Sequence, residues 1–231
     1  MGFTIGAISG LGGIRDSHQL RPGSRRRHRA SAATAVAEYT GLWGWSVVPG
    51  ARAARGAGGR TECSCGAAVC PAPGAHPLDA SLEVPPGAPF DEVTAAWAQC
   101  PGAALLLPTG RHFDVIEVAE AAGRHALVRL ERMGLPLGPV ALAPHGRAWF
   151  FVAPGAAAEL PELLYRMGWD DARLDLRGLG EGEYVTAPPS DRGGLGAVRW
   201  LRQPTLEATA RPPQARLLLG TLAYVSNRSA A

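Results

Sequence analysis

The chain has no lysine: all 23 of its basic residues are arginine. Set against 20 acidic residues, they leave a net charge of only +3 over 231 residues, which excludes a whole-molecule attraction to polyanions and confines any nucleic-acid surface to a local patch. The arginine usage accompanies 30 glycines and 20 prolines, the mark of a GC-rich coding sequence. It also supplies planar guanidinium forks suited to phosphate. No apolar run approaches the roughly 20 residues that a bilayer helix needs. The opening MGFTIGAISGLGGIR carries neither a basic leader nor a small-residue cleavage site, so a soluble cytoplasmic protein is expected. No G-x4-GK-[ST] loop is present in these residues, so no attached helicase motor is expected. There is no internal repeat.

Residues 1–29 show little periodicity and finish in Ser24-Arg25-Arg26-Arg27-His28-Arg29; they read as a disordered basic arm ahead of a folded domain over 30–231. Order is expected from SAATAVAEYTGLWG, with Ala33, Val36, Ala37 and Tyr39 or Thr40 giving a helix face that ends at Gly41 or Gly44, followed by a short buried strand, WSVVPGA. After residue 90, EVTAAWAQC reads as a helix capped by Asp91. Strands ALLLP and FDVIEVA, the helix AAGRHALVRLERMG, a hairpin of VALAP and AWFFVAP, and the helix AELPELLYRMG follow, the last with Pro161 in its first turn. ARLDLRG, EYVTAPP and VRWL are further strands, and PPQARLLLGTLAYVSNR is a closing helix. Strands adjoin one another as well as alternating with helices. This predicts an α+β fold with a mixed or antiparallel sheet, not a doubly wound one.

The four cysteines do not form a secreted disulfide frame, because three crowd into eight residues with a histidine close behind. Cys63-x-Cys65-x4-Cys70-x5-His76 supplies three thiolates and an imidazole within a Gly/Pro-rich loop, 60–78, that has no period of its own. Such a set closes a tetrahedral, structural Zn2+ site, and the metal replaces the core that the loop cannot build. Free thiols in a loop are the alternative. Cys100, on a helix face, reads as a small buried residue.

Nucleotidyl transfer needs carboxylates that hold two divalent cations, and acids at i and i+2 of a strand share the face required. In Phe113-Asp114-Val115-Ile116-Glu117-Val118-Ala119, Glu117 is followed at i+2 by Ala119, so half of such a pair is present; Asp114 points the other way. In Leu174-Asp175-Leu176-Arg177-Gly178, Asp175 and Arg177 share a face, either toward a polar cleft or as an edge salt bridge. Trp149 and Phe151 also share a face, as base-stacking rings or as core.

Taken in order, these pieces resemble the bifunctional DNA primase/polymerase N-terminal domain of the archaeo-eukaryotic primase superfamily. The resemblance runs through the GWSVVP segment, the CSCGAAVCPAPGAHP loop, Pro108-Thr109-Gly110, the Glu117 strand, the Gly146-Arg147 hairpin and the LDLRG…YVTAPPS block, over roughly residues 35 to 202. It implies a primase-like fold with an RRM-like sheet, flanking helices and an inserted zinc loop. It also implies template-directed nucleotide polymerisation on single-stranded DNA with Mg2+ or Mn2+, and a helicase or replication protein as partner. Carried over residue by residue, Glu117 and Asp175 match the first and third acids, Ala119 replaces the second, and Ala148 replaces a histidine that contacts nucleotide phosphate. Arg147, Arg177 and His145 are the expected nucleotide or nucleic-acid contacts, His145 in compensation for Ala148. Loss of the second acid weakens a two-metal centre. The alternatives are a catalytically lapsed, zinc-stabilised module that binds single strands or a replication partner, and a zinc-stabilised protein-interaction module.

Overall fold

A computed structural model describes residues 32–56, 59–169 and 173–230; the expected basic arm at 1–29 lies outside them. Helix α1 runs from 32 to 42, its last five residues, Glu38–Leu42, wound as a π-helix. Ala33, Val36, Tyr39 and Thr40 are buried along it, as the periodicity predicts, while Ala37, expected on the same face, is half-buried. Strand β1 (Val48–Gly50) is followed by a ribbon of two three-residue strands, β2 (Ala53–Arg55) and β3 (Thr61–Cys63). The sequence gives no alternation there and none was expected. Helix α2 (Phe90–Gln99) starts two residues earlier than expected, so Asp91 sits inside its first turn and Pro89 occupies the cap. Cys100 is the C-cap of α2 and only half-buried, not a core residue.

The central part of the chain is β4 (Ala104–Pro108), β5 (Asp114–Ala119), α3 (Glu120–Arg132), β6 (Val140–Ala143), β7 (Arg147–Val152), α4 (Ala156–Arg166) and β8 (Leu176–Leu179). Then come β9 (Tyr184–Thr186), β10 (Arg199–Arg202), α5 (Leu206–Ala210) and α6 (Ala215–Ala230). Pro161 lies in the second turn of α4, not the first, where it gives up one intrahelical bond.

Every strand pairing described is antiparallel. The main sheet has the order β10-β6-β7-β5-β8, beside a three-stranded sheet β1-β4-β9 and the β2-β3 ribbon. Within the main sheet, β5-α3-β6-β7-α4-β8 is a βαββαβ unit, and its order, β6-β7-β5-β8, is that of the RRM-like sheet.

Side chains that alternate along β5 and β7 feed two cores. Val115, Trp149 and Phe151 pack with Trp45, Val47, Leu105, Leu107 and Val185 between this sheet and the three-stranded one. Ile116, Val118, Ala148, Phe150 and Val152 pack against the helices, chiefly Ala126, Leu130, Leu218 and Leu222. Full burial of each leucine in this layer contributes about 1.5–3 kcal/mol. Helix α3 approaches β7 closely because residue 123 is glycine: a Cβ there would lie 2.3 Å from that of Ala148.

This alternation decides which residues face the candidate site. Glu117 pairs with Trp149 on one side and Arg177 on the other, and Ala119 pairs with Arg147. Glu117, Trp149, Arg147 and Arg177 therefore lie on the face away from α3 and α6, while Ala119, at the end of the strand, packs against the helical layer. Asp114 points to the opposite side, where one carboxylate oxygen accepts the Ala157 amide (2.8 Å) at the start of α4.

Candidate functional site

The loop between β3 and the Ala80–Leu82 turn brings Cys63, Cys65, Cys70 and His76 together, with one ligand atom from each lying within 4.8 Å of the others. Among the described residues they form the one such group of three or more metal-ligating side chains. His76 directs Nδ1 to the Pro77 carbonyl (2.9 Å) and leaves Nε2 3.4 Å from the Cys63 sulfur. Backbone contact at one ring nitrogen orients the other toward a metal. Burial raises the Cys63 thiol, but hydrogen bonds from the Cys65 and Gly74 amides, then His76 and the Cys65 side chain, outweigh it and leave its pKa at about 6. A thiolate at neutral pH is the form that binds metal. Donor set and spacing fit a closed Zn2+ site, and the Cys63 thiol is held down while burial, Cys63 and Cys65 push the Cys70 thiol up.

Glu117 stands at the centre of the main sheet and is 8 % exposed. Its Oε2 accepts the Trp149 indole N–H at 2.7 Å, and its Oε1 lies 3.4 Å from Arg147 Nε and 3.5 Å from Arg177 Nε. Arg147 also donates through Nη1 to both oxygens of Asp175, at 2.8 and 2.6 Å. Glu117 and Asp175 thus meet on one guanidinium. Asp175 lies just before β8 rather than within it, with a side chain 56 % exposed, and its partner is Arg147 rather than Arg177. Arg177 reaches Glu117 and, at 4.0 Å, Glu183.

His145, in the β6–β7 turn, brings its ring to 6.0 Å from Trp149. Desolvation, then repulsion by Arg192 and more weakly by Arg147 and Arg177, hold its pKa below the ordinary value despite the pull of Glu117. Arg192 completes the cluster. It stacks on the Trp149 ring at 5.1 Å and donates to Thr186 Oγ1 at 3.1 Å. Burial pushes this guanidinium below its usual range, Glu117 pulls it back, and Arg177 adds repulsion. No carboxylate oxygen of the described residues lies within 4.0 Å of it. A half-buried cation without an ion pair is poised for an anion.

Comparison with known families decides the lineage. The model of the bifunctional DNA primase/polymerase N-terminal family matches residues 36–215, more than three quarters of the chain. The chain belongs to this family. No curated protein and no solved structure gave a significant match.

As a Prim-Pol domain, the chain brings the sequence-predicted residues Glu117, Asp175, Arg147, Arg177 and His145 to one face of one sheet. It does not arrange them as a divalent-metal centre. Both oxygens of Glu117 are engaged by Trp149 and the two arginines, Ala119 offers no donor, and no third acid joins them among the described residues. Mg2+ or Mn2+ does not fit this arrangement. The expected place of the phosphate-binding histidine also changes. Ala148 faces α3, so a histidine there would enter the helical core; Trp149 is the residue that faces Glu117. Trp149 and Phe151 are 1 % and 2 % exposed, so they are core and not a base-stacking platform. Arg192 was not foreseen, because its Gly-rich loop has no period or motif to mark it. No helix among the described residues is long and apolar enough to cross a membrane.

Proposed function

We propose that this Prim-Pol domain recognises the phosphates of nucleoside triphosphates or of single-stranded nucleic acid through Arg147, Arg177 and Arg192, and has given up two-metal polymerisation. One observation carries the reading: the Arg147 guanidinium lies between the first and third acids of the family pattern, bonded to Asp175 and 3.4 Å from Glu117. A cation supplied by the chain stands where the family uses a bound metal. Arg192, the guanidinium with no carboxylate of the described residues within 4.0 Å, is the charge this cluster offers to a phosphate, though not to a long polyanion track. The zinc loop is structural in this reading.

The test is paired. The domain retains a fluorescein-labelled oligothymidylate in low salt, with affinity that falls as salt rises, and the Arg177→Ala and Arg192→Ala variants weaken it. On a primed or unprimed single-stranded template, with Mg2+ or with Mn2+, it incorporates no nucleotide. Metal-dependent incorporation abolished by Asp175→Ala would overturn the loss of activity, and absence of oligonucleotide binding at low salt would overturn the recognition.

A further inference from the structure

The loop that carries Arg192 rests on the zinc ribbon. Residues 190–198 form a tight hairpin: the Asp191 carboxylate accepts the Gly194 and Gly196 amides at 2.7 and 2.8 Å, the Arg192 amide bonds to the Gly196 carbonyl at 3.0 Å, and Val198 N bonds to the Ser190 carbonyl at 2.9 Å. Its base is fixed to β4, where Ser190 Oγ accepts the Leu105 amide at 2.8 Å. Its tip lies on the metal loop, backbone against backbone. A Cβ on Gly74 would stand 3.2 Å from the Gly193 nitrogen and 2.9 Å from the Ala53 Cβ. One on Gly194 would stand 3.5 Å from the Ala54 carbonyl carbon and the Arg55 nitrogen. Gly193 and Gly194, at φ +69° and +71°, have the conformation and the bare surface that this contact requires.

The support is only as firm as the ribbon. Strands β2 and β3 are three residues each and half-buried or exposed throughout. A two-stranded ribbon with no apolar face is not stable by itself in water. Cys63, the last residue of β3, and His76, whose carbonyl accepts the Ala51 amide at 2.9 Å, tie both ends of the loop to the metal set. A metal held by this set would supply the order that packing does not.

We infer that the zinc loop positions Arg192, so that metal occupancy sets the anion affinity of the Glu117 face. The inference rests on the proposed phosphate recognition, and its test separates the two. Hydrogen exchange of the full chain is compared before and after zinc is removed by a chelator. Peptides covering 190–198 should exchange at least about tenfold faster, while those covering β5 and β7 keep their protection. Oligothymidylate affinity should fall by roughly 10-fold, the loss of one charge-assisted contact. Arg192→Ala should lose the same factor and become insensitive to chelation. Unchanged exchange at 190–198, or a chelator effect as large in Arg192→Ala as in the wild type, would overturn the coupling. If chelation also releases β5 and β7, Gly74→Ala decides. Its methyl wedges the ribbon from Gly193 with all four ligands present. A variant that keeps one zinc per chain but has wild-type protection at 190–198 overturns the coupling, and faster exchange there supports it. If the zinc-loaded wild type binds no oligonucleotide, the recognition fails, and exchange alone still decides whether the metal holds the loop.

Discussion

Replacing Glu117 with glutamine tests the site most directly, because a metal ligand and an arginine-clamped acid respond in opposite ways. The amide keeps the shape and one acceptor for the Trp149 N–H, but removes the charge facing Arg147 and Arg177. The Arg147 side chain is 18 % exposed and that of Arg177 59 %, so the first contact counts and the second is largely screened. The Arg147 contact contributes about 1–2 kcal/mol, and incomplete pairing of the amide adds up to roughly 1 kcal/mol. A loss of about 1–3 kcal/mol lowers the melting temperature of a domain this size by roughly 2–12 °C. Affinity for a single-stranded oligonucleotide should rise at the same time, because the cluster loses a negative charge from its centre. Calorimetry and fluorescence anisotropy on the same preparation read both quantities. A carboxylate held ready for a divalent cation predicts the reverse: unchanged or raised stability, since such acids repel their neighbours when no metal is bound. A variant that melts at or above the wild-type temperature refutes the clamp.

Asp175→Ala should cost less than about 1 kcal/mol, since its side chain is 56 % exposed and its bond to Arg147 is a surface pair; a melting-temperature loss as large as that of Glu117→Gln would contradict this. Zinc analysis of the purified chain should give one ion per molecule, and Cys65→Ser should lower that ratio and the melting temperature together. For His145, whose pKa is held below 6.5 in the folded chain, the unfolded state takes the proton first. Its contribution to stability is complete above about 6.5 and is lost as pH falls through the depressed value, so wild type should destabilise more steeply than His145→Gln in melts on the acid side of neutrality. Gly123→Ala should cost about 1–3 kcal/mol by forcing α3 off β7, and Ala148→Gly in the same chain should recover part of it.

The main elements were legible because their signals are local. Helices α3, α4 and α6 repeat their apolar residues at the helical period, and the Cys3His group that could hold zinc lies within fourteen residues. Failures came where geometry depends on distant parts of the chain. The β2–β3 ribbon has strands too short to alternate. Ala148 and Trp149 differ by one position, which in a strand is the whole difference between the helical core and the site face. Arg192 meets Trp149 only after β8 and β9 have been laid down, so nothing near it in sequence announces the contact. The sequence could not show that Arg147 would lie between the two acids.

The two carboxylates of β5 hold that strand by opposite sides. Asp114 is fastened to the first turn of α4 beneath the sheet, and Glu117 is fastened to Trp149 and two guanidiniums above it. A slip of one residue would invert both, sending each acid into an apolar layer with nothing to receive it. Mispairing of this strand is therefore penalised twice, and the chain can vary the chemistry around position 117 with little risk of losing the address at which it occurs.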